Sequence, residues 1–139
     1  MVGGAMRQRR QTEQGFTLIE LIVVMTIIII LAMVAVPAYT TQIKRSKEAV
    51  LRQDLHVMRQ AIDQYTVDKQ KAPQSLEDLV QSGYLKAIPS DPFTTRTDTW
   101  VTEQSDSYSS VDQTESGGMN NVRSGAGGLS TEGSVYQTW

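Results

Sequence analysis

The sequence predicts an α+β fold: one long N-terminal helix packed on a small C-terminal antiparallel sheet with loops. Three observations carry this. Residues Leu18 to Tyr39 form a 22-residue run that is apolar except for Glu20, Thr26 and a break at Pro37. From Ile43 to Tyr65 apolar residues recur at spacings of three and four, the pattern of one helical face. From Thr94 onward the composition shifts to Thr, Ser, Asn and Gly around short alternating stretches, the pattern of strands and turns.

The 139 residues allow one small domain plus a membrane segment. With a net charge of −2 there is no basic excess, so nucleic-acid binding is not expected. Cysteine is absent, which excludes a disulfide framework, a thiolate metal site and a catalytic thiol. The charge is unevenly placed. Arg7, Arg9 and Arg10 against Glu13 give residues 1–15 a charge of +2, and the remainder carries −4. A basic leader before an apolar run predicts a cytoplasmic N-terminus, with the acidic remainder across the membrane.

Twenty-two apolar residues match the ~20 that a helix needs to span a bilayer. Ile27-Ile28-Ile29-Ile30-Leu31 is too apolar all round for a surface helix. β-branched residues are poor helix formers in water, but in lipid the backbone must bond to itself, so helix is expected. A plain single-span anchor is the bland reading. Ala32, Ala35 and Ala38 imitate a secretory cleavage site, but Pro37 and the continuing helical pattern disfavour cutting there. Pro37 predicts a kink or local melting, with termination of the membrane helix as the competing reading.

The amphipathic half carries Ile43, Val50, Leu51, Leu55, Met58, Ala61, Ile62 and Tyr65. Lys44–Glu48, Glu48–Arg52 and Arg59–Asp63 stand four apart, as expected of ion pairs on an exposed face worth roughly 0.2–0.5 kcal/mol each. One helix from about Phe16 to about Lys69 would be roughly 80 Å long. The apolar face needs a partner surface, which the C-terminal half supplies; its three or so heptads are short for a coiled coil. His56, the only histidine, falls on the polar side and is expected in solvent.

Ala72-Pro73 ends the long helix. Ser75 is a good N-cap for a short helix with Glu77 and Asp78 in its first turn and Gly83 as its stop. Pro89 and Pro92 forbid regular helix in the next segment, which is expected to be a connector anchored by Leu85, Ile88 and Phe93. Thr97 to Thr102 around Trp100 predicts a strand, 103–116 a polar loop, and Asn121 to Ser124 a second short strand. Ser124 to Gly128 predicts a turn-rich loop and Val135 to Trp139 a last strand.

One stretch stands out chemically. Gly15-Phe16-Thr17-Leu18-Ile19-Glu20 lies at the junction of leader and apolar run, and its carboxylate would cost roughly 2.5–3.5 kcal/mol at a bilayer centre. These residues resemble the processing motif of type IV pilins and type II secretion pseudopilins: a short basic leader, glycine, phenylalanine, glutamate four residues later, then an apolar helix. The resemblance implies a type IV pilin-like fold and cleavage between Gly15 and Phe16 by a membrane-embedded prepilin peptidase, which also methylates the new amine of Phe16. It implies the division 1–15 leader, 16–39 transmembrane and filament-core helix, and 40–139 periplasmic head including an amphipathic helix over 40–71. It also implies a homo-oligomeric filament in which Glu20 pairs with a neighbour's Phe16 amine and Pro37 is the family's helix-breaking proline. Implied partners are the prepilin peptidase, minor pseudopilins, an inner-membrane assembly platform and the membrane itself.

Within this family the head looks most like the major, G-type pseudopilins. The matching residues are Ala72-Pro73, Ser75-Leu76, Leu79-Val80, Gly83-Tyr84-Leu85 and Ile88-Pro89-Ser90-Asp91-Pro92. Absence of cysteine favours a pseudopilin over a disulfide-closed adhesion or twitching pilin. G-type members usually bind calcium through an aspartate-rich segment near the end. Here Gly127 stands where an aspartate is expected; Asp112, Glu115, Ser124, Ser130 and Glu132 remain as candidate ligands, against a plain solvated loop.

The implied function is a structural subunit of a type II secretion pseudopilus, held in the inner membrane and then extended as a periplasmic filament that drives protein export. A type IV pilin of an adhesion, motility or DNA-uptake pilus is the alternative. A single-span protein with a periplasmic binding head would keep its leader. No nucleophile–base pair or histidine cluster suggests an enzyme, and no G-x-x-x-x-G-K loop suggests that the chain hydrolyses nucleotide.

Overall fold

A computed structural model describes residues 15–104 and 117–139. The elements run α1 (Leu18–Lys69), α2 (Leu76–Gln81), β1 (Trp100–Gln104), β2 (Met119–Ser124) and a 3-10 turn, Tyr136–Thr138. The chain divides into two compact units, Met1–Tyr39 and Thr40–Trp139, and α1 contributes residues to both.

In the first unit, the apolar side chains of α1 from Leu18 to Val36 are all exposed. Thr26, the one hydroxyl in this run, donates to Ile22 O at 2.8 Å, so the group is satisfied within the helix. The helix continues through Pro37. Neither termination nor local melting occurs there, because a proline removes one bond while the flanking residues keep theirs.

The second unit is an α+β head. Leu51, Leu55, Met58, Ala61, Ile62 and Tyr65 are buried, the alternating four-three spacing that the sequence predicts. They pack with Leu76, Leu79, Leu85, Trp100, Met119, Val122, Ala126 and Tyr136 in one core. Burial of each large aliphatic side chain contributes about 1.5–3 kcal/mol. Ile43 and Val50, expected on the same face, are exposed, and Glu48 is buried instead.

The helix's charged residues also differ from expectation. None of the three intrahelical pairs closes. Arg52 meets Glu132 at 2.8 Å, and Arg59 donates to Asn121 Oδ1, Val122 O and Trp139 O at 2.7–3.0 Å. The C-terminal segment lies over this side of α1, so cross-fold partners replace exposed neighbours four residues away.

Ser75 caps α2: its Oγ accepts from Asp78 N, and the Asp78 carboxylate accepts from Ser75 N, a reciprocal capping box. Gly83, at φ +80°, turns the chain, and Tyr84 N and Leu85 N both donate to Leu79 O. The two strands pair antiparallel, Trp100 opposite Ser124 and Thr102 opposite Val122, with an irregularity at Glu103/Gln104. The first starts three and ends two residues later than predicted, and the second starts two residues earlier and ends at Ser124 as predicted. The predicted third strand over 135–139 is a correction: only Val135 bridges, to Leu129, and the next residues form the 3-10 turn. Aromatic packing explains this. Tyr136 stacks on Phe93 with ring centres 4.3 Å apart and meets Trp139 edge-on at 5.3 Å. A strand would send residues 136 and 139 to opposite faces.

Candidate functional site

Gly15, Phe16 and Thr17 precede the first residue of α1, and Phe16 is 82% exposed. The peptide bond before Phe16 therefore lies outside regular helix. Thr17 caps the helix. Its Oγ1 accepts from Glu20 N at 3.3 Å, and its carbonyl accepts from Leu21 N at 3.2 Å. The sequence reading passed over Thr17, although T-x-x-E before an apolar run is a capping-box pattern. This cap fixes Glu20 in the first turn, where the helix dipole favours a carboxylate. Among the described residues, nothing pairs with the Glu20 carboxylate. The apolar side chains near it in sequence, Ile19, Leu21 and Val24 among them, are exposed.

The junction can therefore do two things chemically. It presents an accessible bond between Gly15 and Phe16. It also holds one carboxylate at the start of an otherwise apolar surface, where a cation from another chain would be its natural partner.

The head's second cluster is the C-terminal segment. Asp112 and Glu115 lie outside the described residues. The other three candidate calcium ligands are engaged by the protein. Ser124 Oγ is fully buried, donates to the Asp91 carboxylate and accepts from Ala126 N at 3.0 Å. Ser130 Oγ accepts from Glu132 N and Ser134 N at 3.2 and 3.1 Å and bonds Ser134 Oγ at 2.9 Å. Glu132 is held by Arg52. Calcium takes six to eight oxygens, several of them carboxylate. Among the described residues no cluster of three or more acidic or histidine side chains converges, so Ser124, Ser130 and Glu132 do not by themselves supply such a set.

Glu48 is the buried acid that sequence reasoning placed on the surface. It is 5% exposed. Its Oε1 accepts from Thr131 N at 2.7 Å and Tyr136 OH at 2.9 Å, and its Oε2 accepts from Thr131 Oγ1 at 2.6 Å. Burial works to raise its pKa, but the Thr131 and Tyr136 donors, with Lys44 nearby, bring it below the ordinary value. Burial and the same carboxylate push Tyr136 up to about 12. A heptad-breaking acid is the sequence signal, but its partners lie more than eighty residues away. His56 is exposed, as expected, beside Arg52, Arg59 and Trp139 in an open cleft.

The prokaryotic N-terminal methylation motif matches residues 10–36, a span that contains Gly15, Phe16 and Glu20. Type II secretion system core protein G of Pseudomonas aeruginosa is 37% identical over 102 residues, 62% of this chain and 71% of the relative. The chain belongs to the type II secretion core protein G family. The protein of the same name from Klebsiella michiganensis is 31% identical over 101 residues, 61% of this chain and 71% of its own length. The type IV major fimbrial protein FimA of Dichelobacter nodosus is 37% identical over 78 residues, but these cover only 49% of that protein. No solved structure matches the chain. As in the pilin-like proteins that the sequence resembles, a long helix with an apolar first half packs its second half on a small antiparallel sheet. Core protein G names therefore outnumber the pilin names and extend further along the relatives, into the head.

Proposed function

We propose that the chain is a structural subunit of the type II secretion pseudopilus. Its N-terminal half-helix anchors it in the inner membrane and then bundles with copies of itself in a periplasmic filament that drives protein export. The observation that carries this is the uncovered apolar surface of α1 from Leu18 to Val36, with Glu20 as its one charge. A head that buries its own core has no need of this surface; a bilayer and then a helical bundle do. It is the single described helix long and apolar enough to cross a membrane.

In this reading residues 1–15 are a cytoplasmic leader, 16–39 the membrane and filament-core segment, and 40–139 the periplasmic head. Prepilin peptidase cuts between Gly15 and Phe16 and methylates Phe16, and Pro37 is the family's proline within the core helix. Minor pseudopilins and an inner-membrane platform are the further partners, and the subunit catalyses nothing. The methylation motif over 10–36 supports the processing step, and the core protein G relatives support the secretion role.

Two measurements test it. The mass of the mature chain is expected to correspond to residues 16–139 plus one methyl group; an intact Met1 would sink the processing reading. The gene is also expected to restore export in a secretion strain that lacks its own core protein G. The FimA relatives keep a type IV pilin as the second reading, and restored twitching or adhesion without restored export would favour it.

A further inference from the structure

The C-terminal segment of the head is organised around charges that come from α1. Glu48 takes three hydrogen bonds from it, two from Thr131 and one from Tyr136, all at 2.6–2.9 Å. One turn earlier on the same helix, Lys44 Nζ donates to Leu129 O at 2.7 Å. One turn later, Arg52 holds Glu132 and lies over the Trp139 ring at 4.3 Å. Trp139 Nε1 in turn donates to Ser134 Oγ at 2.8 Å.

The polarity of these bonds is opposite to that of a metal-binding loop. Such a loop must turn oxygen acceptors inward, several of them charged, toward a cation. Here residues 131 and 136 turn N–H and O–H donors toward a buried anion. The two backbone carbonyls that the segment offers to charges, Leu129 O and Trp139 O, already receive the Lys44 ammonium and the Arg59 guanidinium. The one acidic side chain in 129–139, Glu132, is neutralised by Arg52. Ser130 Oγ closes the turn on its own backbone.

We propose that the buried Glu48 carboxylate, with Lys44 beside it, holds residues 129–139 in place of a bound calcium ion, so that the head of this chain orders without the metal. Glu48 is a positioning residue: it acts on the surface of the head by fixing the loop. Its location on α1 ties the end of the chain to the helix.

The full chain in detergent micelles provides the test, independently of filament assembly. Melting followed by tryptophan fluorescence is expected to be the same with excess EGTA and with millimolar calcium. Glu48→Gln keeps the size but removes the charge, and is expected to lower the melting temperature by roughly 5–10 °C. It should also speed hydrogen exchange at the Thr131 amide about tenfold or more, while the Met119 amide, bonded to Pro73 O, keeps its protection. Added calcium should not rescue the variant. If Glu48→Gln fails to fold, Tyr136→Phe and Thr131→Val each remove a single donor and should give smaller shifts in the same direction. A calcium-dependent rise in the wild-type melting temperature would overturn the proposal and point to Asp112 and Glu115. So would unchanged Thr131 exchange in Glu48→Gln, or, if that variant does not fold, unchanged melting in both single-donor variants.

Discussion

A buried acid and the groups that surround it make the head's stability depend on pH in two opposed ways. Glu48 has its folded pKa depressed below the ordinary 4.5. Its contribution is fully present above 4.5 and is lost as pH falls through the folded value. Asp54 behaves oppositely. It is half-buried, and burial together with the nearby Asp91 carboxylate raises it above its ordinary 3.8. The folded state thus favours protonated Asp54, so acidification down through that raised value adds stability, opposite in sign to the loss at Glu48. Tyr136 sets the alkaline side: its contribution is present below its ordinary pKa of 10.0 and lost as pH rises through about 12. The expected outcome is that the melting difference between wild type and Glu48→Gln is constant near neutrality and shrinks below pH 4.5. A difference that stayed constant down to pH 3 would show that charge is not what Glu48 supplies. Asp54→Asn is expected to raise the melting temperature at pH 7 and to remove the gain on mild acidification. Asp91, fully buried, is held by Phe93 N, Thr94 N and Ser124 Oγ.

At the scale of elements, turns and strands are tied together by close approaches that only some residues permit. Gly125 follows β2, and a Cβ built there would lie 2.2 Å from Thr99 O, just before β1. No L side chain fits without moving one of the two backbones. Gly125→Ala is therefore expected to cost about 1–3 kcal/mol through overpacking, read as a lower urea midpoint with an unchanged slope. Gly127, where nothing lies within 4 Å of such a Cβ, should accept alanine with a far smaller loss. How far elements were legible follows the range of the forces that make them. The long helix, its buried face at 51, 55, 58, 62 and 65, the Ser75 cap and the Gly83 stop are all local, and the sequence pattern placed them. The first strand was displaced because Trp100 is fixed by its bond to Pro89 O and not by alternation. The end of the chain was misread as a strand because its conformation is dictated by Phe93 and Glu48, both remote in sequence. Arg52 and Arg59 were assigned to their own helix for the same reason: spacing of four is visible in a sequence, while a bond to Trp139 O is not. At the junction the motif points to Gly15, Phe16 and Glu20, whose roles are proposals, whereas the Thr17 cap was present in the pattern but unread.

For the molecule as a whole, the decisive imbalance is between a head with a satisfied core and an apolar half-helix without one. Among the described residues no buried side-chain polar atom lacks a partner. The half-helix asks for apolar neighbours along its whole length and for one cation at Glu20. On the proposed topology, this carboxylate would sit near the edge of the bilayer and stay hydrated. When the helix is withdrawn into a bundle, water is excluded, and a lone carboxylate becomes costly unless the bundle supplies a positive charge. On the proposed processing, cleavage four residues before Glu20 would create the amine of a neighbouring Phe16 as a suitable cation, and the pairing would select one axial offset between copies over the others that apolar packing alone allows. Glu20→Gln separates these roles. It removes the charge with little change in size and makes membrane insertion easier, so the variant should accumulate in the membrane at least as well as wild type. Assembly should fall on the order of a hundredfold or more, because breaking a buried pair while leaving the partner's amine unpaired costs about 3–5 kcal/mol. Sheared-filament fractions and chemical cross-linking read this directly: monomer in the membrane, few multimers outside it. If Glu20→Gln chains enter filaments at the wild-type level, the carboxylate does not set register, and apolar packing of Leu18 to Val36 is sufficient by itself.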